Sequence, residues 1–299
     1  MMRALQRVPA SSAPGLASSA RRWGGIRAIA SRRLCIDAAA GKRLIALDFD
    51  GVVCDSVGES SLSAFKAASR KWPEIFVTPE ADAAKDSLVE QMRAVRPVVE
   101  TGYENVVQIR ALYEGVTVED MLTNWGTILP AKMEEWGLDR TECLSLFGSV
   151  RDDWIASDLS GWLAPNRIYD GVAPAVAAAM AKDEVYVVTT KQAHYTEILM
   201  RDMAGIDFPL DRIFSQTVSG RPKGEVLTKL AGNHPDASAL VFVEDKLSTL
   251  EKVCKDAALS DWQLYLVDWG YNTPAERARA AANPRIKVIS VADFTAMMA

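Results

Sequence analysis

The chain has 299 residues, a formal net charge of −5 and a hydrophobic fraction of 49%, which are ordinary values for a soluble globular protein. No apolar run reaches the roughly 18 residues that a membrane span needs, and an acidic chain lacks the basic footprint of a nucleic-acid-binding protein. The four cysteines form no CxxC pair, which argues against a zinc site and favours reduced, structural thiols.

Residues 1–36 differ in composition from the rest of the chain. They contain seven arginines, no lysine and no acidic residue, and serine and alanine fill the gaps. An N-terminus rich in arginine and serine, without a long apolar run, is typical of an organellar transit peptide rather than a secretory signal. A disordered basic tail is the alternative. We therefore expect residues 1–41 to lie outside the folded protein.

Residues 44–49 form a short apolar run that leads into Asp48-Phe49-Asp50-Gly51. The run predicts a buried strand with two carboxylates at its exit. Like charges held this close repel each other unless a cation or a proton compensates them, and Mg²⁺ prefers carboxylate ligands. The alternative is an acidic turn in which Gly51 supplies a positive φ.

The middle of the chain, residues 57–169, shows helical patterns and no strong strand signal. Helices are predicted over residues 60–71, 81–96, 103–113, 118–127 and 140–158. Pro97 and Gly102 interrupt this region at "RPVVETGY" and bring three polar residues, Arg96, Glu100 and Tyr103, into one short loop. The loop is either an exposed connection or a specificity loop that descends over a binding site.

Further strand-length apolar runs occupy residues 185–189, 239–243 and 262–267, and a weaker one occupies residues 286–289. Helical stretches alternate with them, including one from Pro222 to about Gly232. This alternation predicts an α/β fold, a Rossmann-like parallel sheet with helices on both faces. Residues 42–56 and 170–299 would form this core, and residues 57–169 would be an inserted helical domain.

Polar residues follow the predicted strands at the edge where such sheets bind ligands. Thr189 and Thr190 end the second strand, Lys223 begins a helix, and Glu244-Asp245 end the next strand. Each has an ordinary structural alternative. Thr189 suits a helix N-cap, Lys223 a surface lysine, and the acidic pair suits N-cap carboxylates.

The order of these residues resembles the haloacid dehalogenase superfamily, over about residues 44–288. Asp48-Phe49-Asp50-Gly51 resembles its first motif, Thr189 its second, Lys223 its third and Glu244-Asp245 its fourth. The helical insert then corresponds to the family's C1-type cap. Asp170 stands where the family usually has proline, and the Glu-Asp form of the fourth motif leaves open which of the two is the main metal ligand.

The resemblance implies a role for each matching residue. Asp48 would be the nucleophile and Asp50 the general acid and base. Thr189 and Thr190 would bind the phosphoryl oxygens, and Lys223 would neutralise their charge. Mg²⁺ would be held by Asp48, Asp50 and either Asp245 or Glu244.

The implied activity is Mg²⁺-dependent hydrolysis of a small phosphorylated metabolite through an aspartyl-phosphate. The alternatives are a phosphomutase and a catalytically silent module that binds a phosphorylated ligand or a protein. Asp50 favours phosphoryl transfer, because family members that break carbon–halogen bonds lack this residue. The stretches "RPVVETGYE", "VRDDWI", "VEDKLSTL" and "DWGYNT" resemble a cyanobacterial and plant subgroup, which favours the chloroplast over the mitochondrion. The sequence names neither the substrate nor the oligomeric state.

Overall fold

The computed structural model of the protein describes residues 41–215 and 222–299. The predicted targeting segment, residues 1–36, lies outside these ranges. No helix in the described ranges is long and apolar enough to cross a membrane. The described strands are β1 (Leu44–Leu47), β2 (Cys54–Asp55), β3 (Arg167–Ile168), β4 (Glu184–Thr189), β5 (Ile213–Ser215), β6 (Leu240–Glu244), β7 (Trp262–Val267) and β8 (Ile286–Ile289).

Six of these strands form one parallel sheet in the order β5-β4-β1-β6-β7-β8. The first strand is central, and Leu47 is in register with Val187 of β4 and Val243 of β6. Because the three strands are parallel and in register, their carboxyl ends meet at one edge of the sheet. This confirms the predicted α/β class with a parallel sheet.

Thirteen helices are present in the described ranges. They are α1 (Val57–Lys71), α2 (Pro73–Phe76), α3 (Pro79–Val95), α4 (Glu104–Tyr113), α5 (Val118–Glu135), α6 (Arg140–Ser157), α7 (Leu159–Leu163), α8 (Val172–Met180), α9 (Ala193–Asp202), α10 (Lys223–Asn233), α11 (Leu247–Lys255), α12 (Pro274–Ala281) and α13 (Val291–Met298).

Both faces of the sheet are covered, as the near-continuous apolar character of its strands requires. Side chains alternate between faces along a strand. Ile45 and Leu47 therefore belong to the hydrophobic cluster that contains residues of α8, α9 and α13. Leu44 and Ala46 belong to the cluster on the other face, with residues of α10 and α11.

Helices α1–α7, here called the helical segment, lie between β2 and β3 in the chain. They have their own hydrophobic cluster, in which α1 packs against α3, α4 and α6. The two short strands pair antiparallel with each other, Cys54 opposite Ile168 and Asp55 opposite Arg167. The start and end of the helical segment are thereby tied together beside the carboxyl end of β1.

The sequence-based elements differ from the structure in several places, including the short strands β2 and β3, which were not predicted. The helix expected to end at residue 127 continues to Glu135, with Pro130 inside it. The edge strand β5 was not predicted, because its three residues are too few to show a period.

A buried ion pair joins two helices of the helical segment. Glu59, in the first turn of α1, is fully buried and accepts two hydrogen bonds from Arg151 of α6, at 2.8 and 2.7 Å. Trp162 Nε1 also donates to it, at 3.1 Å. Burial alone would raise the pKa of Glu59, but Arg151 and Lys191 outweigh it and hold the pKa below its usual value. Glu59 is therefore a buried carboxylate whose charge depends on its partners.

We expect Arg151→Met to lower the free energy of unfolding by about 3 kcal/mol, because Glu59 would keep a buried charge without its bidentate partner. Chemical denaturation measures this change. The matched control is Arg70→Met, since Arg70 pairs with Asp153 between the same two helices but both side chains are about half exposed. The control should change stability by less than about 1 kcal/mol. Equal effects of the two substitutions would contradict the assignment.

Candidate active site

The turn after β1 fixes the positions of Asp48 and Asp50. The Asp48 N–H donates to Val243 O at 2.9 Å, which continues the sheet pairing, and Asp48 Oδ1 accepts the Phe49 N–H at 2.7 Å. Gly51 has a φ of 83°, a conformation that glycine adopts without a steric cost. A Cβ at Gly51 would lie 2.2 Å from Asp245 Oδ2, so the turn also requires glycine for space.

Three buried carboxylates meet at the carboxyl ends of β1 and β6. Asp48, Glu244 and Asp245 each place an oxygen within 4.8 Å of the others, and none is more than 6% exposed. Burial, reinforced by the neighbouring carboxylates, raises the pKa of Glu244 well above its usual value. Burial and Asp48 likewise raise the pKa of Asp245 to about 6, despite the nearby Lys246. Such a cluster carries its full negative charge only if a cation compensates it.

One cation is supplied by the protein itself. Lys223, the first residue of α10, is only 7% exposed, so the surface-lysine alternative is wrong. Its Nζ lies 3.0 Å from Asp48 Oδ2 and 2.8 Å from Glu244 Oε2. Burial alone would lower the pKa of Lys223, but the two carboxylates raise it. A positive charge at a helix N-terminus is unfavourable, and these partners compensate for it.

Asp50 has a separate cation. Its Oδ1 accepts the Ser56 hydroxyl at 2.6 Å and Lys191 Nζ at 3.3 Å. Burial favours the neutral carboxyl group, but Lys191, Arg96 and Ser56 together lower the pKa of Asp50. Lys191 is itself buried and lies 3.8 Å from Glu59. From its position directly after the two threonines, Lys191 is expected either to assist phosphate binding or to be a solvated lysine, and its burial contradicts the second alternative.

The two threonines at the end of β4 have different surroundings. Thr189 is completely buried, and its hydroxyl accepts the Lys191 N–H at 3.2 Å. Thr190 lines the cleft in front of Asp48 and Asp50. Of the two, Thr190 is the one that reaches the cleft in this structure.

Tyr271 and Asn272 hold the loop of Asp245, and the sequence analysis assigned them no role. Asp245 Oδ2 accepts the Tyr271 N–H at 3.0 Å, and Asn272 Nδ2 donates to Asp245 O at 2.8 Å. The Tyr271 hydroxyl donates to Asp55 Oδ1 and accepts the Ser56 N–H, both at 2.8 Å. Tyr271 therefore connects the end of β2 to the turn after β6.

The loop after α3 reaches the same site. The Arg96 guanidinium lies 4.3 Å from the ring centre of Tyr271, and Lys246 Nζ donates to the carbonyls of Arg96 and Pro97. Ser248 Oγ donates to Glu100 Oε1 at 3.2 Å. Arg96 and Glu100 line the cleft, as expected for a specificity loop.

Tyr103 requires a correction. Tyr103 is not among the residues that line the cleft. It is the residue before α4, it is buried, and its ring lies 5.1 Å from the Arg140 guanidinium, whereas Gly102 and Asn105, on either side of it in the chain, line the cleft.

The cleft has two connected parts. The outer lobe, of about 330 Å³, contains Asp48, Lys223, Glu244 and Asp245. The inner chamber, of about 40 Å³, lies between the helical segment and Lys191. The residues that line both parts are Asp50, Arg96, Val99, Glu100 and Thr190.

No family model and no curated protein matches the chain. Solved structures do match it at low sequence identity. A predicted phosphatase from Clostridium acetobutylicum is 16% identical over 86% of this chain and 98% of its own, with a TM-score of 0.53. A predicted phosphoglycolate phosphatase from Haemophilus somnus has the same identity and coverages and a TM-score of 0.51.

A haloacid dehalogenase-like family hydrolase from Streptococcus pneumoniae is 12% identical over 87% of this chain and 100% of its own, with a TM-score of 0.51. The chain therefore has the haloacid dehalogenase fold. The narrower resemblance to a cyanobacterial and plant subgroup stays a prediction.

We expect Gly51→Ala to lower the free energy of unfolding by at least about 1 kcal/mol more than Gly115→Ala, since overpacking costs about 1–3 kcal/mol. Both glycines have positive φ, but a Cβ at Gly115 would meet nothing within 4 Å. Gly115→Ala therefore measures backbone strain alone, and the difference measures the collision with Asp245. Denaturant titration of both variants provides the comparison. Equal losses would mean that the turn containing Gly51 moves away from Asp245 without a cost in stability.

Proposed function

We propose that the protein is a Mg²⁺-dependent phosphomonoester hydrolase that acts through an aspartyl-phosphate on Asp48. The observation that carries the proposal is the pairing of two acids with two different lysines at one sheet edge. Asp48 pairs with Lys223, and Asp50 pairs with Lys191. The two acids therefore have separate environments, as a nucleophile and an acid–base group require.

Asp48 suits the role of nucleophile. Its Oδ1 is oriented by the Phe49 N–H, and its Oδ2 faces Lys223. In the first step an Asp48 oxygen forms a bond to phosphorus while the bond to the ester oxygen breaks. Lys223 lies where it would stabilise the charge of the phosphoryl group during this exchange.

Asp50 suits the role of proton carrier. Its carboxylate is the stable form in the free protein because its pKa is lowered, chiefly by Lys191. A phosphoryl dianion beside it would raise that pKa and favour proton uptake. Asp50 would then give the proton to the departing alkoxide, and would later take a proton from the water that attacks phosphorus and releases Asp48.

The donor set fits Mg²⁺, which prefers carboxylate oxygens, and the ion would supply positive charge next to the phosphoryl group. Asp48 and Asp245 are the carboxylates that would hold it, together with the Asp50 main chain. Both Glu244 oxygens already accept N–H groups, one from Lys223 and one from Lys246. Among the described residues, the Asp245 carboxylate accepts a hydrogen bond only at Oδ2. We therefore assign Asp245, rather than Glu244, as the metal ligand after β6, and Glu244 as the residue that positions Lys223. Asp48, whose oxygens also face the Phe49 N–H and Lys223, would share its charge between Lys223 and the ion.

The substrate class is a small phosphorylated metabolite. The outer lobe has room for a phosphoryl group and an ion, and the inner chamber is narrow. The names of two compared structures, a phosphatase and a phosphoglycolate phosphatase, agree with such a substrate. The composition of residues 1–36 supports an organellar location, and the resemblance to cyanobacterial and plant sequences favours the chloroplast over the mitochondrion.

Asp48→Asn is expected to abolish turnover of p-nitrophenyl phosphate with Mg²⁺ present, because an amide is a poor nucleophile and a weaker metal ligand. Turnover is measured beside thermal unfolding, and the wild-type protein is assayed with and without Mg²⁺. Residual activity of the folded variant above about 1% would exclude Asp48 as nucleophile, since losing a covalent nucleophile costs several orders of magnitude. Wild-type protein that turns over no phosphomonoester would refute the proposal.

Lys223→Ala should lower kcat/KM for the same ester by about 100-fold, because it removes the charge that faces the phosphoryl group. The matched control is Lys229→Ala, on the same helix but exposed, which should stay within about threefold of the wild type by the same rate arithmetic. If both variants kept nearly full activity, Lys223 would have only a structural part in holding Glu244.

A further inference from the structure

The inner chamber is a polar site next to the reacting groups. It opens into the outer lobe through Asp50, Arg96 and Thr190, which line both. An ester whose phosphoryl group meets Asp48 in the outer lobe would direct its alcohol toward this chamber, because Asp50, the proton donor to that alcohol, lies at the junction. The chamber would therefore receive the alcohol part of the substrate.

The charges around the chamber balance. Three cations line it, Arg96, Arg151 and Lys191. Asp50 and Glu100 also line it, and Glu59 lies directly behind, bonded to Arg151 and 3.8 Å from Lys191. Three carboxylates thus face three cations, and a charged alcohol would gain little net attraction there.

Three residues that line the chamber each have a buried polar side-chain atom without a hydrogen-bond partner among the described residues. Asn105 is 3% exposed, and its Nδ2 donates to Gly102 O at 3.0 Å, which leaves Oδ1 as the free end. Asn105 Oδ1, Gln192 Oε1 and Arg96 Nε have no hydrogen-bond partner among the described residues. A buried polar atom without a partner costs about 1–3 kcal/mol, so a ligand that satisfies these atoms is favoured. Two of them accept hydrogen bonds and one donates.

The volume limits the size of the ligand. A cavity needs at least about 10–15 Å³ to hold one water molecule, so a chamber of about 40 Å³ has room for a short group only. Phe147 and Leu144 supply the apolar part of its wall. A hydroxyl group donates and accepts hydrogen bonds and is uncharged, so it matches both the unpaired atoms and the balanced charges of the chamber.

We propose that the inner chamber selects phosphomonoesters of a short, uncharged, hydroxylated alcohol, recognised by Asn105 and Gln192. This inference rests on the proposed hydrolase activity and specifies its substrate class. The chamber would recognise the leaving alcohol and not the phosphoryl group. It should therefore favour esters whose alcohol carries a further hydroxyl group over esters whose alcohol carries none.

The test compares esters of nearly equal size with the Mg²⁺-loaded protein. The probes are 2-hydroxyethyl phosphate, propyl phosphate and phosphoglycolate, with phenyl phosphate as a generic ester. We expect kcat/KM for 2-hydroxyethyl phosphate to exceed that for propyl phosphate by at least about tenfold, since a site that hydrogen-bonds a hydroxyl rejects the analogue lacking it. It should also exceed the value for phosphoglycolate, whose carboxylate cannot donate to the two amide oxygens.

Substitutions assign the preference to the chamber. Gln192→Leu and Asn105→Leu should each reduce the ratio of hydroxyethyl to propyl turnover at least about threefold, as expected for the loss of one hydrogen bond. Gln108→Leu is the matched control, because Gln108 is a buried and unpaired amide one turn from Asn105 that is not among the chamber's lining residues. Its ratio should stay at the wild-type value.

Three results would overturn the inference. Equal turnover of hydroxyethyl and propyl esters would show that the chamber recognises no hydroxyl. A preference for phosphoglycolate would show that Arg96 attracts a carboxylate. An unchanged ratio in both Gln192→Leu and Asn105→Leu would place recognition elsewhere. Hydrolysis of phenyl phosphate in these cases would leave the proposed function standing, whereas failure on every ester would remove both proposals.

Discussion

The structure depends on the cost of holding three carboxylates together away from water. Asp48, Glu244 and Asp245 meet because parallel strands place their carboxyl ends at one edge. Repulsion and burial would each disfavour this arrangement, and Lys223 offsets only part of it. The cluster is therefore stable as a fully charged set only with a further cation.

The surrounding contacts hold these charges in place. Tyr271 and Asn272 fix the Asp245 loop, and Lys246 donates to the carbonyls of Arg96 and Pro97 at the end of α3. The loop after β6 and the helical segment are thus joined by hydrogen bonds to main-chain atoms. A movement that separated the residues after α3 from the loop after β6 would break the two bonds that Lys246 donates.

Much of the core architecture could be predicted from sequence because it follows from local patterns. Buried strands appear as apolar runs, and Asp48, Lys223 and Asp245 stand where such runs end or helices begin. The structure places them together, although their chemical roles stay predictions. Glu59 and Arg151 could not be selected, because an acid in the first turn of a helix and an arginine on a polar helix look ordinary until tertiary packing buries them together. Tyr103 could not be excluded from the cleft by sequence, because its nearness to Arg96 and Glu100 does not fix the direction of its side chain at the start of a helix.

The pairing of β2 with β3 affects how the helical segment could change during evolution. The backbone enters the helical segment from β2, and on its return Ile168 of β3 pairs opposite Cys54, while Tyr169 N donates to Val53 O at 3.1 Å. The two ends of the helical segment are therefore already closed by main-chain hydrogen bonds, independently of what lies between them. Lengthening an insertion with fixed ends costs little extra closure entropy. Helices could be exchanged, added or removed between these ends over evolutionary time, giving new selectivity while the sheet and its acidic edge stay unaltered.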